Sequence, residues 1–261
     1  MKDLHNTWAL VTGASSGFGM DFAHLLAERG ANLVLVARRA EPMHELAAIL
    51  QTQFSVRVKV ISQDLSKDDA AIELKHNLDH EGIHISTLIN NAGFGLFGEF
   101  LAQDFAKTEE MLKLNIMSLT RLSYVFADDM KAQGGGNILL VASIGAYQAT
   151  PTYAAYSASK AYVLLFGEAL HHELARFNIK VSVLSPGITA TSFLAVSGQK
   201  PTLYQRLVMM QSRPVAKIGL QALFSGKVST VPGLINQLTI FSNRFVPRTW
   251  QAKLAYLLMK N

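Results

Sequence analysis

The sequence predicts an α/β fold in which a single doubly wound parallel sheet of about seven strands carries helices on both faces. Three features lead there. Apolar runs of strand length alternate with longer stretches of helical spacing. The runs are apolar throughout rather than at every second residue, as strands buried on both faces require. A glycine-rich turn joins the first run to the first helix, and strand–helix repetition of this kind builds one layered domain.

Strands are expected at residues 7–12, 32–37, 56–62, 87–90, 137–143, 180–185 and 227–231. Helices are expected at residues 17–29, 40–53, 67–81, 104–129 and 152–177. No low-complexity linker, repeat or composition break divides the chain, so residues 1–261 read as one domain. Two regions leave the rhythm. Residues 188–213 have weak periodicity and follow Pro186-Gly187, a placement that suits a substrate loop. Residues 234–261 form an apolar, basic C-terminal extension interrupted by Pro247.

Composition narrows the function. With 49% hydrophobic and 16% charged residues over 261 positions, the chain is no disordered segment. The net charge of +5 is mild and its basic residues are scattered, so no nucleic-acid stripe is expected. There are no cysteines, which removes disulfides, thiolate chemistry and Cys-based metal sites. The eight histidines, His171 and His172 among them, show no ligand spacing, and no metal is expected. No run of about 18 apolar residues would span a membrane, and the opening residues do not resemble a signal peptide. A cytoplasmic location is the expectation.

The first strand leads into Gly13-Ala14-Ser15-Ser16-Gly17-Phe18-Gly19 and then a helical pattern. Glycines permit a tight turn and close backbone approach to a pyrophosphate, while a helix N-terminus offers unpaired N–H groups and positive potential. The spacing is GxxxGxG rather than GxGxxG. At the end of the second strand an NAD site usually carries an acid for the ribose hydroxyls; here Ala37 is followed by Arg38 and Arg39. An arginine fork pairs instead with a 2′-phosphate, which favours NADP(H), Arg38 first and Arg39 second. The alternative is a solvated pair opening the next helix.

Tyr156 and Lys160 stand at i and i+4 and share a helix face. A free phenol is a poor proton partner at neutral pH. An ammonium about 4 Å away contributes about 4 kcal/mol at an effective ε of 20, enough to draw the phenol's pKa toward the neutral range. Ser143 closes the apolar run Ile138-Leu139-Leu140-Val141, at the strand edge that borders a ligand crevice.

These pieces resemble the short-chain dehydrogenase/reductase family. Its motifs match Thr12–Gly19, Asp64-Leu65, Asn90-Asn91-Ala92-Gly93, Asn115, Ser143, Tyr156–Lys160 and Pro186-Gly187, in the family's order, over about residues 7–191. The resemblance implies a Rossmann-like sheet and an NADP(H)-dependent oxidoreductase interconverting a carbonyl and an alcohol. Tyr156 would be the general acid/base, Lys160 would tune it and bind the nicotinamide ribose, and Ser143 would hold the reacting oxygen. Asn115 would position a proton-relay water. Asp64 would contact the adenine, or only cap the helix opened near Ser66. Asn91 would line the cofactor groove with its neighbours Leu65, Ala92 and Gly93, and Thr191 with Pro186, Gly187 and Ile188 would border the nicotinamide. Thr189 stands where the family's segment often has valine.

Phe94, Leu96, Phe97, Ile144, Ala146, Tyr147, Ile188 and Phe193 flank this site, which suggests an apolar ketone or aldehyde. A non-catalytic dinucleotide sensor of the same fold is the alternative. The resemblance also implies a homodimer or homotetramer formed through the two long helices carrying Asn115 and Tyr156. In the extension, Trp250, Leu254, Leu257 and Leu258 share one helical face. Packing on the chain's own domain or a second subunit is the leading reading, and peripheral membrane contact the other.

Overall fold

The computed structural model describes residues 3–191, 193–200, 202 and 208–259. Six strands, β1 (Trp8–Thr12), β2 (Asn32–Ala37), β3 (Val58–Ser62), β4 (Ile85–Asn90), β5 (Gly136–Val141) and β6 (Ile179–Leu184), join the short strand Ser229–Thr230 in one sheet. The spatial order is β3-β2-β1-β4-β5-β6 and then Ser229–Thr230, and every pair is parallel. The order reverses between β1 and β4, opening a crevice beyond their C-terminal ends.

Alternation along the strands divides the core between two faces. Val11, Leu33 and Leu35 pack with Phe22 and Leu26 of α1 (Gly17–Ala27), Leu46 and Leu50 of α2 (Glu41–Phe54), and Leu220 of the helix Ser212–Ser225. Leu10, Val34 and Ile138 face the other way. They meet Leu74 of α3 (Ala70–His80), Phe126 of α5 (Leu119–Ala132) and Val163 of α6 (Ala154–Ala175). Phe126 is wholly buried; truncating such a side chain to alanine costs about 3–5 kcal/mol.

Two expected elements differ. The strand ending at Ser143 stops at Val141, because Ser143 turns its hydroxyl back to accept from the Gly145 N–H at 3.1 Å and opens a 3-10 turn over Ile144–Tyr147. The single helix over residues 104–129 is broken into α4 (Phe105–Leu112), a π-helical stretch Lys113–Ser118, and α5. Asp104 caps the start of α4 through the Ala106 N–H at 3.0 Å. Asn115 explains the break: its side chain accepts from the Phe94 N–H at 3.2 Å and donates to the Phe94 carbonyl at 2.9 Å. Two bonds to another chain segment hold one wide turn, a deformation common at functional sites.

The region 188–213 holds a small two-stranded sheet, Thr189–Ala190 with Met210–Gln211, and the short helix Phe193–Ser197. Residues 192, 201 and 203–207 of that expected substrate loop lie outside the described residues. The helix Ser212–Ser225, which periodicity had not singled out, covers α1 and β6. The extension forms two helices, Leu234–Ser242 and Arg248–Met259. Trp250, Leu254, Leu257 and Leu258 stay exposed, so that face does not pack on the chain's own domain, the first of the two packings expected. Among the described residues no helix is long and apolar enough to cross a membrane.

Candidate active site

A cleft of about 470 Å³ lies over the crevice between β1 and β4. Every catalytic and cofactor residue expected from the sequence lines it except Gly19 and Asn115, which stand directly behind the lining. Of the expected flanking residues Phe94, Ile144, Ile188 and Phe193 line it, whereas Leu96 and Phe97 do not and Ala146 and Tyr147 pack against the core instead. On one side is the cradle. Gly13 has φ +67°, and a Cβ there would lie 2.9 Å from Asn91 Nδ2 and 3.0 Å from Ala92 Cα. At Gly19 a Cβ would lie 2.2 Å from the Gly13 carbonyl oxygen. The turn is therefore too tight for any side chain at either position. Ser16 precedes α1 without capping it through its side chain, so the helix's positive end is left for a ligand's acceptors. Ser15, Ser16, Gly17 and Phe18 complete that wall.

Thr12 joins the two strands of the crevice. Its hydroxyl accepts from the Asn91 and Ala92 N–H groups, both at 2.9 Å, and the Asn91 amide donates to the Thr12 carbonyl at 2.8 Å. Asn91, Ala92 and Gly93 are thus held as one floor. Asp64 accepts from the Ser66 N–H at 3.0 Å and its hydroxyl at 2.7 Å. Burial opposes its ionisation, but those bonds and the charges of Arg38 and Lys67 outweigh it and keep the carboxyl below its ordinary range. It is both a turn-former and a cleft residue beside Leu65.

The two arginines take different partners. Arg38 forms an ion pair with Glu110 of α4 at 2.7 Å. Arg39 donates to the Ser15 carbonyl and hydroxyl, both at 3.3 Å, and so lies over the cradle. No acid follows β2 at this wall of the cleft.

Opposite the cradle, Tyr153, the residue before α6, and Tyr156, Ser157 and Lys160 of α6 face the cleft at the i, i+3, i+4, i+7 spacing of one helix face. Tyr156 is half-buried, and Ser143 hydrogen-bonds its phenol. Lys160 is 5% exposed and donates to the Val141 carbonyl at 2.8 Å, its Nζ lying 5.9 Å from the Tyr156 ring centroid. Asn115 is adjacent: a Cβ on Gly93 would lie 2.8 Å from Asn115 Oδ1 and 3.5 Å from Lys160 Nζ. Asn115 also donates to Ser159 Oγ at 3.1 Å, fastening the π-helical turn to α6.

The electrostatics correct the sequence-based expectation. Burial lifts the Tyr156 phenol well above its ordinary range; the Ser143 hydrogen bond opposes this and Tyr153 adds to it. Burial lowers Lys160 to about 8. With the ammonium drawn to a strand carbonyl, desolvation outweighs the attraction that i, i+4 spacing suggested. The phenol in this state is the protonated, donating form.

Several contributors were not singled out beforehand. Tyr153 is buried, and its hydroxyl bonds Ser197 Oγ at 2.9 Å and Gln199 Oε1 at 3.0 Å. This holds the helix Phe193–Ser197 so that the Phe193 ring lies 5.2 Å from that of Tyr156. The i−3 spacing before Tyr156 was the available signal. Thr191 comes within reach of the cradle, 3.1 Å from where a Gly17 Cβ would stand. Pro186, Gly187 and Ile188 form the adjoining wall. Asn236 closes it from the C-terminal helix, where a Cβ on Gly187 would lie 2.4 Å from its amide nitrogen; no local pattern announces that contact. Elsewhere, Asp79, His84 and Asp129 converge, but the Lys75 ammonium already bridges the two carboxylates.

A parallel sheet that reverses its order beside a glycine cradle and a Tyr–Lys pair on one cleft wall defines a class of nucleotide-binding oxidoreductases. The chain belongs to the short chain dehydrogenase family, whose model matches residues 7–201, and is an oxidoreductase of the alcohol–carbonyl couple. It is 32% identical over 193 residues to 7beta-hydroxysteroid dehydrogenase of Clostridium sardiniense, covering 73% of this chain and 72% of that one. It is 30% identical over 237 residues to the very-long-chain 3-oxoacyl-CoA reductase of Mus musculus, covering 88% and 75%. The solved short-chain dehydrogenase from Sphingobium yanoikuyae in complex with NADPH superposes with a TM-score of 0.82 at 29% identity, over 92% of this chain and 93% of that one.

Proposed function

We propose that this protein is an NADP(H)-dependent reductase of apolar ketones or aldehydes, with Tyr156 as proton donor and Ser143, Lys160 and Asn115 as its partners. The observation that carries the reading is the meeting of Ser143, Tyr156 and Lys160 across one cleft from a cradle that admits no side chain. The nicotinamide nucleotide, when bound, supplies the hydride. The α1 N-terminus and Gly13–Gly19 backbone would hold its phosphates, Arg39 and Arg38 a 2′-phosphate, and Asp64, Leu65 and Asn91 the adenosine half. Thr191, Ile188 and the Pro186-Gly187 turn would hold the nicotinamide half.

At the reacting oxygen, the Ser143 hydroxyl donates a hydrogen bond and Tyr156 delivers the proton. Burial keeps that phenol protonated at neutral pH, the state a reductase needs at the start of its cycle. Lys160 and Asn115 both lie close to Gly93, where a water held between them would return a proton from solvent to the phenol.

The NADP(H) preference is supported by the paired arginines after β2 and by the NADPH held by the Sphingobium yanoikuyae relative. The apolar substrate is supported by Phe94, Ile144, Ile188 and Phe193 in the lining and by relatives named for steroid and long-chain acyl substrates. Assembly as a homodimer or homotetramer is supported by Met117 on the stretch carrying Asn115, Tyr124 on α5 and Leu165 on α6, all exposed. The test follows NADPH absorbance against a panel of steroidal, long-chain and short polar carbonyls. Consumption with the apolar members is expected; NADPH binding without turnover on any of them would instead favour a sensor.

A further inference from the structure

Charge is divided unevenly along this chain. All 19 acidic residues lie at or before Glu173, whereas lysines and arginines continue to Lys260. The C-terminal stretch 234–259 thus carries positive charge, at Arg244 between its two helices and at Arg248 and Lys253 on the second, with no acid in it. Each helix also has an apolar face that none of the described residues covers. On Leu234–Ser242, the residues Leu234, Ile235, Leu238 and Phe241 are all more than half exposed. On Arg248–Met259, Trp250, Leu254 and Leu257 are exposed to the same degree, while Gln251 and Ala255 face the protein. Phe245, 74% exposed, continues the patch between them, its ring edge-on to that of Phe241 at 5.3 Å.

The basic residues sit within this patch. Arg244 lies over the Phe241 ring at 5.9 Å and Lys253 over the Trp250 ring at 5.9 Å, with Arg248 exposed between them. Long basic side chains beside exposed aromatics suit a boundary where rings enter an apolar layer and cations reach its charged surface. The first helix has a second role. Its other face, Asn236, Thr239, Ile240 and Asn243, lines the cleft, so a single helix separates the cleft from the apolar patch.

We propose that the outward faces of Leu234–Ser242 and Arg248–Met259 dock on an anionic lipid bilayer, both helices lying in the plane of its interface. Charge complementarity selects this occupant. A second copy meeting the patch about a two-fold axis would set the basic groups of one patch, Arg244, Arg248 and Lys253, against those of the other, with no acid in either. Anionic headgroups neutralise all three. Docking this way places one wall of the cleft against the bilayer, concentrating an apolar substrate there; that consequence alone rests on the reading of function above.

The full chain is sedimented with vesicles of phosphatidylcholine alone and of phosphatidylcholine with one-third phosphatidylserine, at low and high salt. Binding to the anionic vesicles, released by salt, is expected. Arg244→Gln, Arg248→Gln and Lys253→Gln together should weaken it about 100-fold, each charge being worth about fivefold. Leu238→Ser with Leu254→Ser should weaken it about tenfold or more. NADPH binding, read by fluorescence, should persist in both variants and so exclude misfolding as the cause. The proposal is overturned if the wild type ignores anionic vesicles, or if both variants bind them as well as it does. It is equally overturned if sedimentation velocity without lipid shows a dimer that the two leucine substitutions dissociate. Vesicle binding needs no turnover, so a failed carbonyl panel leaves this outcome readable.

Discussion

Lys160→Met should make the protein more stable at neutral pH while removing its activity. The lysine is 5% exposed and burial lowers its pKa from the ordinary 10.5 to about 8. At 1.36 kcal/mol per pH unit, holding that ammonium in the fold costs about 3 kcal/mol. The folded value lies below the unfolded one. Below about pH 8 both states keep the proton and the folded state bears the whole penalty. Between about 8 and 10.5 the folded chain has shed a proton the unfolded chain still holds, so this group's contribution to stability rises with pH. Methionine keeps the side chain's length without the charge but leaves the Val141 carbonyl short of its 2.8 Å donor, a loss of about 1–2 kcal/mol. A net gain of about 1–2 kcal/mol follows at pH 7, a rise in Tm of about 2–6 °C. Near pH 10 the gain should vanish or reverse. Thermal unfolding of both proteins at the two pH values, followed by circular dichroism, measures the gap, and NADPH consumption should fall more than about 100-fold. A variant less stable than wild type at pH 7, or a gap unchanged at pH 10, would refute the desolvation argument.

Tyr156→Phe should leave the NADPH dissociation constant within about threefold and lower kcat by about 100-fold or more, as single-turnover measurements would reveal. Glu110→Gln releases Arg38 from its ion pair; exposed pairs are worth up to about 1 kcal/mol, so NADPH should bind up to about fivefold more tightly with NADH unaffected. Arg39→Ala should weaken NADPH about tenfold or more relative to NADH by titration calorimetry, and equal losses would remove the 2′-phosphate assignment. Tyr153→Phe deletes the bonds to Ser197 and Gln199, about 1 kcal/mol each. It should raise the substrate KM and hasten proteolysis near residues 193–200, with little change in NADPH affinity.

Much of this site follows from chain-local rules. Gly13–Gly19 reads as a phosphate turn because a strand precedes it and a helix follows, and the steric contacts at Gly13 and Gly19 accord with that reading. Tyr156 and Lys160 reach one cleft because 3.6 residues per turn brings i and i+4 to one face. The uninterrupted apolar strands announce a parallel sheet because such strands are covered on both sides. Asn115 stood out through resemblance, yet the wide turn around it depends on Phe94, which reaches it from a separate segment.

What residue order alone determined were the elements with a local cause: strand–helix alternation, the tight cradle and the tyrosine–lysine spacing. The tertiary structure decided the partners and the energies. It drew Lys160 to Val141 and Arg38 to Glu110, brought Asn236 against Gly187, and left the C-terminal apolar face bare. The physical reason is that pairing, desolvation and exposure depend on which distant segments crowd around a group, and periodicity along the chain carries no record of that crowding.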